Sequence, residues 1–221
     1  MWRERPSIWS HDSKEPASGE PGTLQIVYWA TKRMMRGSMK GDQSATLHTP
    51  RLSLRPVRKA DRGDLIALER DAEVMRFING GRPTPEDGLD PKADFLMPRG
   101  GEPGIWTAVG VASRTFIGWF SLTPHSEAVA QLGYRLCRSA WGQGFASEGA
   151  RALVRKGFVE MQLNRIVATT MAANHASRRV MEKAGLTYVR TVYFDWPDPL
   201  ADSHLGDVEY EITRADWQRV T

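Results

Sequence analysis

The sequence predicts an α/β fold in which a mixed central sheet carries helices on both faces. Three observations lead to this prediction. Segments with alternating or β-branched residues recur from residue 49 onward, and segments with apolar residues at helical spacing lie between them. A glycine-rich turn connects one of these strands directly to one of the helices. Helices inserted between strands in this way are typical of a layered α/β domain.

The first part of this region predicts a strand, a helix and a break. Residues 51–57 alternate as a strand with one buried face. Residues 61–77 carry apolar side chains at roughly helical spacing and predict a single helix. Glycine and proline residues over 80–90 interrupt the pattern, and we expect a short helix reaching residue 97 to follow them.

Three further strands precede the glycine-rich turn. Residues 106–111 and 115–122 are rich in β-branched and aromatic residues, and the linker 112–114 predicts an antiparallel hairpin. The strand 129–137 then places three residues on one face: Leu132, Tyr134 and Leu136.

Two helices and three strands follow the turn. Residues 145–162 carry a single apolar stripe and predict a long helix, and residues 165–171 predict a short strand. Asn174 is a good N-cap for the next helix, which Gly185 can end in a left-handed conformation. The last two strands are predicted over 187–194 and 208–213.

Residues 1–46 differ from the rest of the chain. They mix proline, serine, glycine and charged residues without sustained periodicity. This pattern predicts an irregular or mobile extension ahead of one domain over 47–221. Three methionines between residues 34 and 39 allow a start site further along the chain, whereas two tryptophans leave open an arm that mediates association.

The composition argues against several classes of protein. The net charge of +4 comes from interleaved acids and bases rather than a clustered basic face, so no nucleic-acid partner is expected. No stretch approaches the apolar length that spans a bilayer, and no membrane association is expected. The single cysteine, Cys137, excludes an internal disulfide framework and agrees with a cytoplasmic protein. The five scattered histidines predict no metal site.

The glycine-rich turn is the strongest local signal for a ligand. A helix N-terminus leaves backbone N–H groups unpaired, and its dipole favours an anion there. Gly142 and Gly144 let the backbone approach a phosphate without an intervening Cβ. The lysine-bearing nucleotide loop is excluded because no Gly-Lys-Ser/Thr follows, and the dinucleotide fingerprint is excluded because Ser147 replaces its third glycine. Taken alone, the turn is also compatible with a glycine-rich connection that binds nothing.

Four sequence elements in a fixed order point to a known family. The turn Trp141-x-x-Gly144-x-Ala146 matches the pattern Gln/Arg-x-x-Gly-x-Gly/Ala, with Trp141 in the first place. The other elements are 116–119 (Phe-Ile-Gly-Trp), 133–136 (Gly-Tyr-Arg-Leu) and Asn174-x-x-Ser177 followed by 182–186 (Glu-Lys-Ala-Gly-Leu). With these elements, residues 49–217 resemble the GNAT superfamily and, within it, the RimJ/RimL-like branch. The resemblance implies a mostly antiparallel sheet and an acetyl-CoA-dependent N-acetyltransferase.

The resemblance also implies where acetyl-CoA binds. The strand before the turn is expected to splay from its neighbour, leaving free backbone groups at Leu136 and Cys137. These groups would pair with the pantetheine amides and stabilise the developing oxyanion. Arg138 or Arg179 is expected to meet the 3′-phosphate. The diphosphate would lie on the turn itself, against Trp141, Gly142, Gln143, Gly144, Phe145 and Ala146.

Direct attack of a neutral amine on the thioester is the implied chemistry. Many superfamily members protonate the leaving thiolate with a tyrosine, but the equivalent position here is Met181. Ser177 is therefore the expected acid, with Asn174 positioning the cofactor or the serine. Alternatively, Asn174 is only an N-cap and Ser177 a first-turn hydroxyl. Asp195 is the candidate general base, and Cys137, with no histidine assigned beside it, is interpreted as structural.

The expected acceptor is a primary amine, either a protein N-terminal α-amine or a small molecule such as a polyamine or an aminoglycoside. An α-amine with a pKa of about 7.7–8.0 is partly neutral at pH 7 and depends less on a general base than a lysine does. Four aspartates between 195 and 207 either draw in a cationic acceptor or form a solvated acidic loop. The alternative function is a non-catalytic acyl-CoA-binding regulatory module. A monomer and a homodimer are both compatible with the sequence.

Overall fold

The structure is a computed structural model that describes residues 45–85, 98–194 and 199–220. Its strands are β1 Leu47–His48, β2 Leu52–Pro56, β3 Ile105–Gly110, β4 Phe116–Pro124, β5 Val129–Leu136, β6 Arg165–Met171, β7 Thr187–Val192 and β8 Asp207–Thr213. Its helices are α1 Arg62–Glu69, α2 Ala72–Asn79, α3 Phe145–Val159, α4 His175–Lys183 and α5 Arg214–Val220. The predicted short helix reaching residue 97 and nearly all of the predicted extension lie outside the described residues.

The eight strands form one sheet in the order β1-β2-β3-β4-β5-β6-β8-β7. Neighbouring strands are antiparallel except β5 and β6, which run parallel and are connected through α3. A parallel pair needs such a crossover because the chain must return to the same end of the sheet before the second strand begins. The predicted mixed, mostly antiparallel sheet and the hairpin of β3 and β4 are confirmed.

One face of the sheet forms the main core with α3 and α4. The close packing of α3 on this face depends on two of its glycines. A Cβ at Gly149 would lie 2.3 Å from Phe120 Cζ, and one at Gly157 would lie 2.8 Å from Ile166 Cδ1. Because both positions lack a side chain, the helix backbone can approach the strands closely.

The opposite face of the sheet carries α1 and α2, so helices on both faces are confirmed. Leu65 and Leu68 of α1 pack there against Trp119 of β4. Asp61 fixes the start of α1 by accepting two hydrogen bonds from Arg55, at 2.6 and 2.8 Å. Burial opposes the charge on Asp61, but its hydrogen bonds outweigh burial and hold the pKa of this carboxyl below its ordinary value.

The prediction of a single helix over 61–77 is wrong, because the structure has two helices in this region. Asp71 adopts an extended conformation with ψ of 112°, and its side chain accepts a hydrogen bond from Glu73 N–H at 3.0 Å as the N-cap of α2. An aspartate that can cap a new helix competes with continuation of the old one. α3 likewise ends at Val159, before the predicted residue 162, where Gln162 has a left-handed φ of 56°.

Gly149→Ala is expected to destabilise the fold, because the added methyl group would lie 2.3 Å from the Phe120 ring. Overpacking of this kind lowers the free energy of unfolding by about 1–3 kcal/mol. Urea unfolding followed by circular dichroism measures the change.

The matched control for this variant is Gly63→Ala in α1, where nothing lies within 4 Å of the position that a Cβ would take. The helix propensity of alanine should raise the free energy of unfolding there by up to about 1 kcal/mol. Shifts of equal size and sign in the two variants would contradict the packing argument.

Candidate active site

An opening in the sheet between β5 and β6 gathers the functional residues. The last paired residues of the two strands are Gln131 and Val167. Beyond this pair, β5 continues to Leu136 and β6 to Met171, but the two strands no longer pair with each other. The predicted splay is therefore confirmed, and backbone groups of β5 face a gap toward the C-terminal end of the strand.

The backbone at the end of β5 is more fully hydrogen-bonded than the sequence predicts. Cys137 N–H donates to Ile117 O at 2.9 Å, and Cys137 O accepts from Ala140 N–H at 2.9 Å. Because an antiparallel ladder alternates, the polar groups of Leu136 point away from β4 and into the gap. The Leu136 carbonyl accepts a hydrogen bond from the Trp141 indole at 2.9 Å. The expectation of free groups at Cys137 is therefore wrong, and Leu136 contributes its N–H to the gap.

The turn between β5 and α3 has the geometry of an anion cradle. Gly142 and Gly144 have φ of 72° and 82°, in the left-handed region that favours glycine. Gly144 is the N-cap of α3, and Glu148 N–H donates to its carbonyl at 3.0 Å. The N–H groups of Phe145 and Ala146 precede this bond and point out of the helix end. A phosphate at this position would meet these donors and the positive end of the helix dipole.

Arg51 holds this turn in place, a contact that the sequence analysis missed. Its Nη1 donates to Gln143 O at 2.8 Å, and its Nε donates to Glu148 Oε2 at 2.6 Å. Its guanidinium lies 4.6 Å from the centre of the Phe145 ring. Glu148 also accepts a hydrogen bond from the Thr49 hydroxyl at 2.6 Å. Burial opposes the charge on Glu148, but these hydrogen bonds outweigh burial and hold the pKa of its carboxyl below the ordinary value.

Ser177 of α4 contacts Tyr134 of β5 beside the opening, on the face of the sheet that carries α3 and α4. The Tyr134 hydroxyl lies 2.9 Å from Ser177 Oγ and donates to the Ser177 carbonyl at 3.0 Å. Burial raises the pKa of Tyr134, so this hydroxyl keeps its proton at neutral pH. Ser177 N–H donates to Asn174 Oδ1 at 3.1 Å, which confirms Asn174 as an N-cap. The sequence predicted the face of Tyr134 but not its partner.

The remaining predicted site residues lie in other surroundings. Arg138 is exposed, and its Nε lies 3.3 Å from Asp71 Oδ2 at the start of α2. Arg179 is exposed on α4. Cys137 is half-buried on the α1 side of the sheet, where burial raises the pKa of its thiol, and this environment fits a structural cysteine. Asp195 lies outside the described residues.

Comparison with known proteins identifies the family. A sequence profile described as Acetyltransferase (GNAT) domain matches residues 51–187. The chain belongs to the GNAT acetyltransferase family. FsC-acetyl coenzyme A-N(2)-transacetylase from Aspergillus fumigatus is 38% identical to it over 185 residues, which cover 79% of this chain and 79% of that protein.

Solved structures show the same fold as this GNAT acetyltransferase. A GNAT-family acetyltransferase from Bacillus anthracis matches with a TM-score of 0.64 and 22% identity, over 77% of this chain and 99% of that one. Spermidine N-acetyltransferase from Vibrio cholerae, solved with CoA and spermine, matches with a TM-score of 0.60 and 14% identity, over 77% of this chain and 99% of that one. At these identities the likeness establishes the fold.

This GNAT acetyltransferase is an enzyme that takes acetyl-CoA as its acyl donor and an amine as its acceptor. In the part of the chain that the structure describes, no helix is long and apolar enough to cross a membrane. No group of three or more His, Cys, Asp or Glu residues is arranged there to hold a metal ion.

Arg51→Met is expected to weaken acetyl-CoA binding, because the turn loses its hydrogen bond to Gln143 O and its link to Glu148. The dissociation constant should rise about fivefold, which corresponds to about 1 kcal/mol. Isothermal titration calorimetry measures the change. Arg155→Met, an exposed position further along α3, removes the same charge as a control, and an equal loss of affinity in this variant would refute a specific role for Arg51.

Proposed function

We propose that this GNAT acetyltransferase transfers the acetyl group of acetyl-CoA to a primary amine of a small molecule. The observation that carries the proposal is the opening in the sheet between β5 and β6. The glycine-rich turn lies at its end, and the hydroxyls of Tyr134 and Ser177 lie on the face that carries α3 and α4. The Aspergillus fumigatus relative is named for transfer to N(2) of FsC. A numbered nitrogen within a defined acceptor supports a small molecule over a protein N-terminus.

The donor fits the opening through backbone groups that the fold already supplies. In this proposal the diphosphate binds the N–H groups of the turn, from Gly142 to Ala146, at the positive end of α3. The Leu136 N–H, which faces the gap, pairs with a pantetheine amide or holds the oxyanion. Arg138, which follows β5, and Arg179, on α4, are both exposed. One of them meets the 3′-phosphate.

The departing CoA sulfur needs a proton, and the hydroxyl pair can supply it. Ser177 Oγ donates this proton, and the Tyr134 hydroxyl, 2.9 Å away, then turns from the Ser177 carbonyl to Oγ and replaces it. Because burial raises the pKa of Tyr134, the phenol holds its proton until an alkoxide forms beside it. Asn174 acts by positioning Ser177 through the N-cap bond at 3.1 Å.

The proposal also covers the branch of the family, the limits of the domain, the location of the protein and the general base. We place the enzyme in the RimJ/RimL-like branch because Trp141 occupies the first place of the turn. Residues 47–221 form the catalytic domain, and residues 1–46 are an extension to it. The free thiol of Cys137 supports a cytoplasmic location. Asp195 stays a predicted general base.

Release of free CoA thiol from acetyl-CoA tests the proposed acceptor class. Small molecules with a free α-amine, polyamines, aminoglycosides and peptides with a free N-terminus are compared at equal concentration, and mass spectrometry identifies the acetylated product. We expect the highest kcat/KM with a small-molecule amine. A higher kcat/KM for peptides would overturn the small-molecule assignment.

Ser177→Ala is expected to lower kcat by about one to two orders of magnitude, at the lower end of general acid catalysis because a thiolate is a stable leaving group. The dissociation constant for acetyl-CoA should stay within about twofold, since the variant leaves the turn intact. Tyr134→Phe should lower kcat less, and the double variant should lose no more than Ser177→Ala because the two hydroxyls act as one unit. Steady-state kinetics and calorimetry measure these effects.

The matched control is Tyr188→Phe on β7, which removes an exposed hydroxyl that lies 2.9 Å from Thr191 Oγ1. This variant should keep the wild-type kcat. A Ser177→Ala enzyme with undiminished kcat would exclude the serine as the acid.

A further inference from the structure

Strand β8 presents a row of three carboxylates on the face of the sheet that carries α1 and α2. Val208, Tyr210 and Ile212 belong to the core on the α3 side. Because side chains alternate along a strand, the residues between them point to the opposite face. These residues are Asp207, Glu209 and Glu211.

Two of the three carboxylates are paired with arginines of neighbouring strands. Arg190 Nε lies 2.5 Å from Glu209 Oε2, and Arg165 Nη1 lies 3.4 Å from Glu211 Oε2. Asp207 is half-buried, and no hydrogen bond or ion pair from any described residue reaches its carboxylate. Partial burial disfavours the charge on such a carboxylate, and a cationic partner would offset this cost.

Asp207 lies one strand away from the opening that would receive the donor. It is paired in register with Met171, the last residue of β6, on the side of β6 away from β5. Ala172 N–H donates to Gly206 O at 2.9 Å, and Asn174 N–H donates to Met171 O at 2.9 Å. The turn before Ser177 is therefore hydrogen-bonded to Gly206, the residue before Asp207, and to Met171, the ladder partner of Asp207.

The loop before Asp207 contacts α2 and covers this part of the sheet face. Arg76 Nη2 lies 3.9 Å from Asp202 Oδ2. A Cβ at Gly80, the C-cap of α2, would lie 3.2 Å from Leu200 Cδ2. An acceptor that reaches the opening from this face would therefore pass beside this contact.

We infer that Asp207 is the carboxylate that binds the ammonium group of the acceptor and removes its proton before attack on the thioester. This inference rests on the proposed function and adds to it the residue that receives the amine. It places the acid, Ser177, and the base, Asp207, on opposite faces of the sheet with the thioester in the gap between them. It assigns the general base to Asp207, whereas the sequence predicts Asp195 for this role.

The proton balance of the reaction is complete with these two groups. Asp207 takes one proton from the ammonium and passes it to solvent. The amine nitrogen then forms a bond to the acetyl carbon, and the carbon–sulfur bond breaks. The second proton leaves the nitrogen for solvent. The sulfur receives its proton from Ser177, which regains one through Tyr134 and then from solvent, so the net release is one proton for each acetyl group transferred.

The surroundings of Asp207 make its carboxylate a stronger base than a fully solvated one. Burial raises the pKa of this carboxyl above its ordinary value of 3.8, and a base whose pKa is closer to the working pH accepts a proton more readily. The nearest charged groups on this face of the two strands are Glu209 and Arg190, which pair with each other, and Arg76 of α2 pairs with Asp202 in the loop before β8. Across the gap, the buried Arg135 of β5 is balanced by the charge of Glu69.

Asp207→Asn tests the inference with a side chain of the same shape. At pH 7, kcat/KM for the acceptor should fall about 100-fold, while the dissociation constant for acetyl-CoA stays within about twofold. In the wild type, kcat/KM should fall as the pH drops through the pKa of Asp207, because only the ionised carboxylate accepts a proton. The variant should lack this acid limb and gain activity only as the free amine itself becomes neutral at higher pH.

Thermal unfolding distinguishes a catalytic role from a structural one. Because the folded pKa lies above the unfolded one, ionised Asp207 opposes folding at neutral pH. Asp207→Asn should therefore unfold at the same temperature as the wild type or a higher one. A structural carboxylate would show the opposite shift. If this variant yields no folded protein, Asp207→Ser carries the same kinetic test.

Glu211→Gln is the matched control, since it neutralises a carboxylate on the same face of β8 away from the opening. It should keep the wild-type kcat/KM. An active wild type with an unchanged Asp207→Asn variant would overturn this inference alone. A wild type that releases no CoA with any amine would overturn the proposed acceptor and this inference together.

Discussion

The loss of hydrogen bonding between β5 and β6 after Gln131 is the constraint on which the site depends. A backbone strand inside a sheet normally pairs on both sides, and an unpaired buried amide raises the free energy of the folded state. Here the protein satisfies part of this demand itself, through the Trp141 indole on the Leu136 carbonyl. The Leu136 N–H remains directed into the gap, and in the proposed complex the amides of the donor would complete the sheet there.

In the proposed mechanism, the divided sheet also separates two chemical tasks. The face that carries α3 and α4 supplies the hydroxyl groups of Tyr134 and Ser177, which lie 2.9 Å apart. Burial there raises the pKa of Tyr134 and keeps the phenol protonated. The opposite face supplies carboxylates along β8. In that mechanism each group would act on the thioester from its own face of the sheet. The position of each group relative to the sheet therefore matters as much as its identity.

Local features of the sequence predicted most of the fold, because they depend on neighbours in the chain. The N-cap at Asn174 and the alternation of β5 were both readable in this way, and both are confirmed. Contacts between distant residues were not readable. Arg51 and Glu148 are 97 positions apart, and Tyr134 and Ser177 are 43 apart. Asp71 shows a local failure, since a helical pattern and a capping side chain compete and tertiary packing decides between them.

The turn and the gap are held as one unit by two side chains that the family pattern does not emphasise. Trp141 donates to the last carbonyl of β5, and Arg51 binds both the Gln143 carbonyl and Glu148 of α3. Because the same short turn is fixed from both ends, the amides proposed to bind the diphosphate and the amide proposed to bind the oxyanion keep a constant separation. Preorganised donors lose little entropy on binding and need no rearrangement as charge develops. An uncharged indole in the first place of the turn is therefore consistent with catalysis, because its task is to orient the backbone while the backbone itself meets the charge.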